Sequence, residues 1–370
     1  MASIRQAQLT SLNGEALTDS IPTCWANDIL TGIVKVANGS ELSMAIKLQG
    51  RIRTSISKVR YLPFLSDIEH LLVNLDADTI EITGAAQKNP AIVPDREFGF
   101  SVQLPDACGA ERCMHFTDDS SPQQQLMLHH QMPPSTVSES ESGNKDEAAD
   151  LVRITYCVLI TIWQDGHIKT HKSLPILIKP KLQLLSFPTS EQSGGEIYVE
   201  KEWNDLGFLR VEVYCPDNFY LAWPPKAKSV PINLVVKLCF TPIHPAWGLP
   251  PMSEMSTKLI AETAFQRAEP REGKKWTRSQ VLSATTFSVG TVAWVWSSQS
   301  LTGGFEYVAW VPVPLQFPLG ENMLTSFKSC IAGREFAAHV GFVFGFGVGK
   351  DVDVVVPISI EPCIEVTTAQ

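Results

Sequence analysis

Hydrophobic residues recur at every second position over much of this chain. In the stretch ELSMAIKLQGRIR, Leu42, Met44, Ile46, Leu48 and Ile52 share one parity, and Ser43, Lys47, Gln49, Arg51 and Arg53 share the other. A period of two puts the apolar set on one face of a strand and the polar set on the opposite face. The same period runs through Phe98, Phe100, Val102 and Leu104, through Val152, Ile154, Tyr156, Val158, Ile160 and Ile162, and through Val230, Ile232, Leu234, Val236, Leu238 and Phe240. Between these runs stand turn signals such as Asn38-Gly39, Asp165-Gly166 and Gly303-Gly304, spaced like the corners of antiparallel hairpins and meanders. No stretch reads as a long amphipathic helix, so an all-β chain is predicted and the alternating strand and helix order of a nucleotide-binding parallel sheet is not. One segment, MSEMSTKLIAETAFQRAEP, satisfies both periods. Met252, Met255, Leu259 and Phe265 would mark a helix face, and Leu259, Ala261, Thr263 and Phe265 a strand face.

The stretch GFVFGFGVGKD, residues 341–351, has the look of a phosphate-cradling glycine loop. A P-loop requires Gly-Lys followed by Ser or Thr, between a strand and a helix. Here Asp351 follows Gly349-Lys350, and the next residues alternate Val352, Val354, Val356, Ile358 and Ile360. Burying five such side chains contributes roughly 10 kcal/mol, while three glycines in extended chain cost about 2 to 3 kcal/mol. FAAHVGFVFG and DVDVVVPISI are therefore predicted to be adjacent antiparallel strands joined by a turn.

Length suggests more than one core: 370 residues exceed what one core usually organises, so two domains are predicted. With 44% hydrophobic and 19% charged residues, the composition is that of a folded globular protein. The formal net charge is −9 and the Lys and Arg residues are dispersed, which argues against a nucleic-acid partner, since backbone phosphates require a concentrated basic face. The first twenty residues hold no signal-peptide core, and the longest apolar stretch, residues 337–349, falls short of the roughly 20 residues that span a bilayer. An intracellular protein without a transmembrane segment is expected, with membrane association at most peripheral and its eight scattered cysteines reduced. Residues 117–150 break the pattern with Gln, Ser, Pro and acidic residues, too polar to offset their ordering entropy, and are expected to form a disordered insertion. The domain junction is expected near residues 182–195, around the polar stretch PTSEQSGGE.

Three segments resemble the arrestin-like family. MLTSFKSCIAGREFAAHVGFVFGFGVGKDVDVVVPISIEP is similar to the closing segment of the arrestin-like C-terminal domain, with Phe327, Cys330, Ile331, Arg334, Phe336 and Pro357 in the family's places and Phe336 where a Tyr is usual. DILTGIVKVANGSELSMAIKLQGRIRTSIS resembles the early arrestin-like hairpin, with Gly32 in its first strand. LVRITYCVLITIWQDGHIKTHKSLPILIKP resembles the strand pair that closes the N-terminal domain. The three occur in the family's order. The resemblance implies two tandem arrestin-like β-sandwich domains, residues 1–183 and 184–370, joined by a short connector, with the insertion in the first. Its fungal-type α-arrestin members are adaptors that bring membrane transporters or receptors to ubiquitin ligases and the endocytic machinery.

The chain departs from those adaptors in one respect. Pro133-Pro134, Pro224-Pro225 and Pro250-Pro251 are followed by Ser-Thr, Lys-Ala and Met-Ser, so none supplies the tyrosine that a WW-domain groove requires of a Pro-Pro-x-Tyr motif. The segment DIEHLLVNLD does hold an acidic dileucine pattern, Asp67, Leu71 and Leu72, and a clathrin-box-like run from Leu72 to Leu75 and Asp76. These are the candidate partner-binding residues, and a buried strand is the alternative account of the same pattern. Cys108, Cys113 and His115, with His129 and His130, match no standard zinc spacing. His167 and His171 read as exposed hairpin residues, and Trp294, Trp296 and Trp310 as aromatic core in preference to a concave sheet surface. Neither a Gly-x-Ser-x-Gly elbow nor a His-Glu-x-x-His helix is present. No catalytic residue, metal or cofactor is assigned.

The expected function is a non-enzymatic, cytoplasmic adaptor or scaffold recruited to plasma membrane or endosomes. Its partners would be proteins: membrane cargo tails, a ubiquitin ligase or coat components. A β-sandwich ligand-binding protein or hydrolase with an inter-domain pocket is the alternative.

Overall fold

The computed structural model describes residues 4–17, 21–25, 27–37, 42–54, 68–82, 96–105, 133, 135, 152–164, 167–179, 182–187, 197–203, 206–216, 218–222, 228–244, 248–266, 275–297, 305–319, 326–328, 332–345 and 350–363. Among them the chain is all-β, without a helix. The first half contains β1 (Ile4–Leu12), β2 (Glu15–Ala16), β3 (Thr23–Cys24), β4 (Ile29–Val36), β5 (Leu42–Thr54), β6 (Ile68–Ile82), β7 (Arg96–Gln103), β8 (Val152–Gln164) and β9 (His167–Ile178). The second contains β10 (Leu182–Ser186), β11 (Ile197–Trp203), β12 (Gly207–Tyr214), β13 (Phe219–Ala222), β14 (Ser229–Pro242), β15 (Met252–Gln266) and β16 (Lys275–Ser288). It continues with β17 (Val295–Ser297), β18 (Glu306–Pro318), β19 (Phe327–Lys328), β20 (Ala332–Phe344) and β21 (Lys350–Cys363).

These strands form four sheets. In the first half the orders are β2-β1-β4-β7 and β3-β9-β8-β5-β6; in the second they are β11-β12-β14-β18-β17 and β13-β10-β21-β20-β15-β16, with β19 beside β20. Every pairing is antiparallel except the short one between β3 and β9. Sheet membership changes between Ile178 and Leu182, just ahead of the polar stretch where the junction is expected.

The period of two explains the layers. Leu30, Val34, Phe100 and Val102 from one sheet meet Met44, Ile46, Leu48, Ile154, Val158 and Ile160 from the other in the first core. Leu209, Val211, Leu234, Val236 and Val313 meet Leu259, Ala338, Val340, Phe342, Val354 and Val356 in the second. Each half is thus a β-sandwich, two sheets with their apolar faces together. The ends of β15, β19 and β20 reach across to the first core through Phe265, Phe327 and Ala332.

Two glycines permit aromatic rings to lie on a neighbouring strand. Gly50 pairs with Tyr156 and Gly32 with Phe100, and a Cβ on either glycine would overlap the opposing ring. The segment read both ways is β15, a strand between β16 and β20. The expected hairpin is present as β20 paired with β21, and its turn, residues 346–349, lies outside the described residues. The expected insertion also lies outside them except at Pro133 and Ser135, which are held. Tyr156 Oη donates to the Pro133 carbonyl at 2.7 Å, Ser135 N to the Ile178 carbonyl at 2.8 Å, and Ile178 N to Ser135 Oγ at 2.7 Å.

Candidate functional site

The partner-binding candidates from the sequence fall on one strand. Leu71, Leu72, Leu75 and Asp76 lie in β6, an edge of its sheet. Leu71 is in register with Arg51, Leu75 with Leu48 and Asp76 with Lys47. Asp67 lies outside the described residues, as do Cys108, Cys113, His115, His129 and His130. His167 and His171 are exposed on β9.

A second surface is built by β12, β14 and β18. Their inward positions, among them Val211, Val236 and Val311, fill the core, so the intervening residues share the opposite face. Glu212 stands opposite Lys237, Lys237 opposite Trp310, and Arg210 opposite Cys239. This register assembles an ion-pair ladder. Lys237 Nζ donates to Glu212 Oε2 at 2.8 Å, Tyr214 Oη donates to the same oxygen at 3.0 Å, and Arg210 Nε lies 2.8 Å from Glu212 Oε1. Arg210 also reaches Glu306 Oε1 at 3.3 Å.

The carboxylates of Glu212 and Glu306 are buried, and burial penalises their charge unless it is matched. Burial alone would raise the Glu212 carboxyl. Hydrogen bonds from Lys237 and Tyr214, with the charges of Lys237 and Arg210, outweigh it and hold the group below the usual carboxylate range. Burial likewise works to lower Lys237, and its hydrogen bond to Glu212 leads the effects that keep it above the usual lysine value. Cys239, under this ladder, is raised by burial, and burial pushes Cys24 up to about 12 and Cys215 up to about 11. At neutral pH these are thiols, poor nucleophiles and poor metal ligands. Among the described residues no group of three or more His, Cys, Asp or Glu converges as metal ligands would.

Apolar residues flank the ladder. Trp310 is 57% exposed, with its ring 5.1 Å from Tyr214 and 5.8 Å from the Lys237 ammonium. Val235 and Pro312, in register on the same face, are exposed beside it, and Val295 on β17 is 65% exposed. The expectation of aromatic core therefore holds for one tryptophan of three. Trp294 packs partly buried against the second core and donates to the Pro250 carbonyl, whereas Trp296 and Trp310 face solvent. The reason is parity: Ala309, Val311, Val313, Leu315 and Phe317 occupy the core side of β18, which turns Trp310 outward. The surface has fixed charges neutralised within it and an exposed aromatic ring at its centre, a composition suited to holding a protein segment.

No described helix is long and apolar enough to cross a membrane. No protein-family model matches this chain, and no curated protein is similar to it at a significant level.

Proposed function

We propose that this chain is a non-enzymatic arrestin-like adaptor. Each of the two cores would belong to one arrestin-like domain, and the molecule would bind cytoplasmic tails of membrane proteins and link them to endocytic or ubiquitin-dependent downregulation. It would work in the cytoplasm and be recruited to plasma membrane or endosomes by its cargo. Three segments that resemble the family lie in the family's order. The observation that carries the binding role is the outer face of β12, β14 and β18. There Trp310, Val235 and Pro312 are exposed in register around an ion-pair ladder whose charges are already matched. Such a face offers aromatic and apolar contact at little cost in stripping water from unpaired charge. In the absence of a Pro-Pro-x-Tyr motif, ligase contact would run through another surface or another protein.

The test is an array of cytoplasmic-tail peptides from membrane proteins probed with the purified full chain and with Trp310→Ala. The proposal predicts saturable binding to a subset of tails, weakened at least tenfold by the substitution. Binding to none of the tails would refute the cargo role. Tail binding unaffected by Trp310→Ala would keep the role and move it to another surface.

A further inference from the structure

Two sheet edges lie along the same side of the second sandwich, and they are finished differently. One is β18 beyond its short partner β17. Proline has no N–H to donate, and Pro312, Pro314 and Pro231 fall in the register pairs Val235–Pro312, Asn233–Pro314 and Pro231–Gln316. The even positions of β18 therefore turn away from β14, toward the free side. Three N–H groups there are absent because Pro312, Pro314 and Pro318 are proline. Two carbonyls there are capped: Ser283 Oγ donates to Gln316 O at 2.8 Å and Thr257 Oγ1 to Pro314 O at 3.4 Å. That edge is closed against another strand in the ways proteins commonly use.

The other edge is β16, which contains no proline. No described strand pairs with its outer side. Its backbone parity can be read from the next turn: Val289 N donates to Ser253 O on β15, and Phe287, Thr285 and Ser283 continue that parity opposite Met255, Thr257 and Leu259. The prolines agree. Pro357 and Pro362 on β21, with Ile360 N donating to Ser326 Oγ, turn the even positions of β21 toward β20. Counting across β20 and β15 turns the odd positions of this part of β16 toward β15. Ala284, Thr286 and Ser288 thus present N–H and C=O outward, and all three are exposed. A bulge at Leu282 separates this run from the first part of the strand. Residues 279–288, SQVLSATTFS, contain no proline and no charge.

We propose that the outer edge of β16 is a self-docking strand, on which two copies of this chain pair antiparallel along residues 283–288 and join their sheets across a two-fold axis. A row of outward N–H and C=O groups recognises an extended backbone. A second copy is the occupant the residues favour, because a two-fold pairing sets the segment against itself, and a charged edge would then oppose like with like. Here every opposed pair is neutral, and the outward-facing Ala284 and Thr286 side chains are small enough for close approach.

The experiment is the mass of the full-length chain by light scattering and sedimentation over a concentration series, for the wild type, Thr286→Pro, Ala284→Lys and the control Val355→Lys. Thr286→Pro removes an outward donor and leaves the β15 ladder intact. Ala284→Lys sets ammonium groups close together across the axis. Val355 is exposed on β21, away from the edge. The expected result is a concentration-dependent dimer for the wild type and the control, weakened at least tenfold in both edge variants at unchanged circular dichroism. A wild type that stays monomeric overturns the proposal, and so does a dimer that Ala284→Lys does not weaken. Should Thr286→Pro fail to fold, Ala284→Lys alone decides.

Discussion

The ring of Tyr156 lies over Gly50 on the adjacent strand, while its hydroxyl donates a 2.7 Å hydrogen bond to the carbonyl of Pro133. One side chain thus joins the central strands β5 and β8 to a residue of the segment between β7 and β8. A methyl group at position 50 would force the ring out of place, at a cost typical of an overpacked core, about 1 to 3 kcal/mol. Gly50→Ala should lower the unfolding free energy of the first sandwich by that amount, read as a lower urea midpoint at unchanged slope, and an unchanged midpoint would show that the ring can move freely.

The hydroxyl can be separated from the ring. Tyr156→Phe keeps the contact with Gly50 and leaves a buried carbonyl at Pro133 without this donor, a loss of about 1 to 3 kcal/mol. Composition places early proteolytic cuts between residues 117 and 150. The docking of Pro133 and Ser135 predicts that cuts next to Ser135 come late in the wild type and early in Tyr156→Phe, read by mass spectrometry of the fragments.

The ladder around Glu212 makes a prediction about pH with a definite sign. Its carboxyl is held low in the folded state, so the stability it contributes is present above the ordinary carboxylate range and is lost as pH falls through the depressed folded value. Lys237 is held high, so its contribution is present below the ordinary lysine value and is lost as pH rises past the folded value. Glu212→Gln should flatten the acid limb of a stability-versus-pH curve. At neutral pH it should cost about 2 kcal/mol, less than a fully buried pair, because Arg210 and Lys237 are part exposed.

Trp310→Ala removes an exposed ring whose neighbours are Tyr214 and Lys237. Its effect on stability should stay within about 1 kcal/mol, so that loss of binding by this variant reports on contact with a partner and not on unfolding. A fall in melting temperature comparable to that of Gly50→Ala would contradict this.

Much of the fold was legible because alternation reports directly which side of a strand meets a core. Leu42 to Ile52, Val152 to Ile162 and Val230 to Phe240 all lie on strands β5, β8 and β14, and wherever their side chains are described, the core-facing positions are nearly all buried. Residues 252–266 were ambiguous because Leu259 and Phe265 satisfy both periods, and only the neighbours β16 and β20 decide for a strand. Trp310 departs from the aromatic-core expectation although the signal is present: the odd positions of β18 are continuously apolar, which turns Trp310, Pro312, Pro314 and Gln316 to solvent. The Glu212 ladder was not legible at all. Glu212 and Lys237 are 25 positions apart and Arg210 and Glu306 are 96 apart, and only strand order and register bring them together. The outer edge of β16, which no described strand pairs, is hidden for the same reason, since a strand's sequence does not say whether it has one neighbour or two.

The adaptor role is tested most directly by capturing the tagged full-length chain from detergent-solubilised cells and quantifying co-purifying proteins by mass spectrometry, beside Trp310→Ala at matched expression. The account predicts enrichment of integral membrane proteins together with ligase or coat subunits, reduced in the variant. Enrichment of neither class would contradict it.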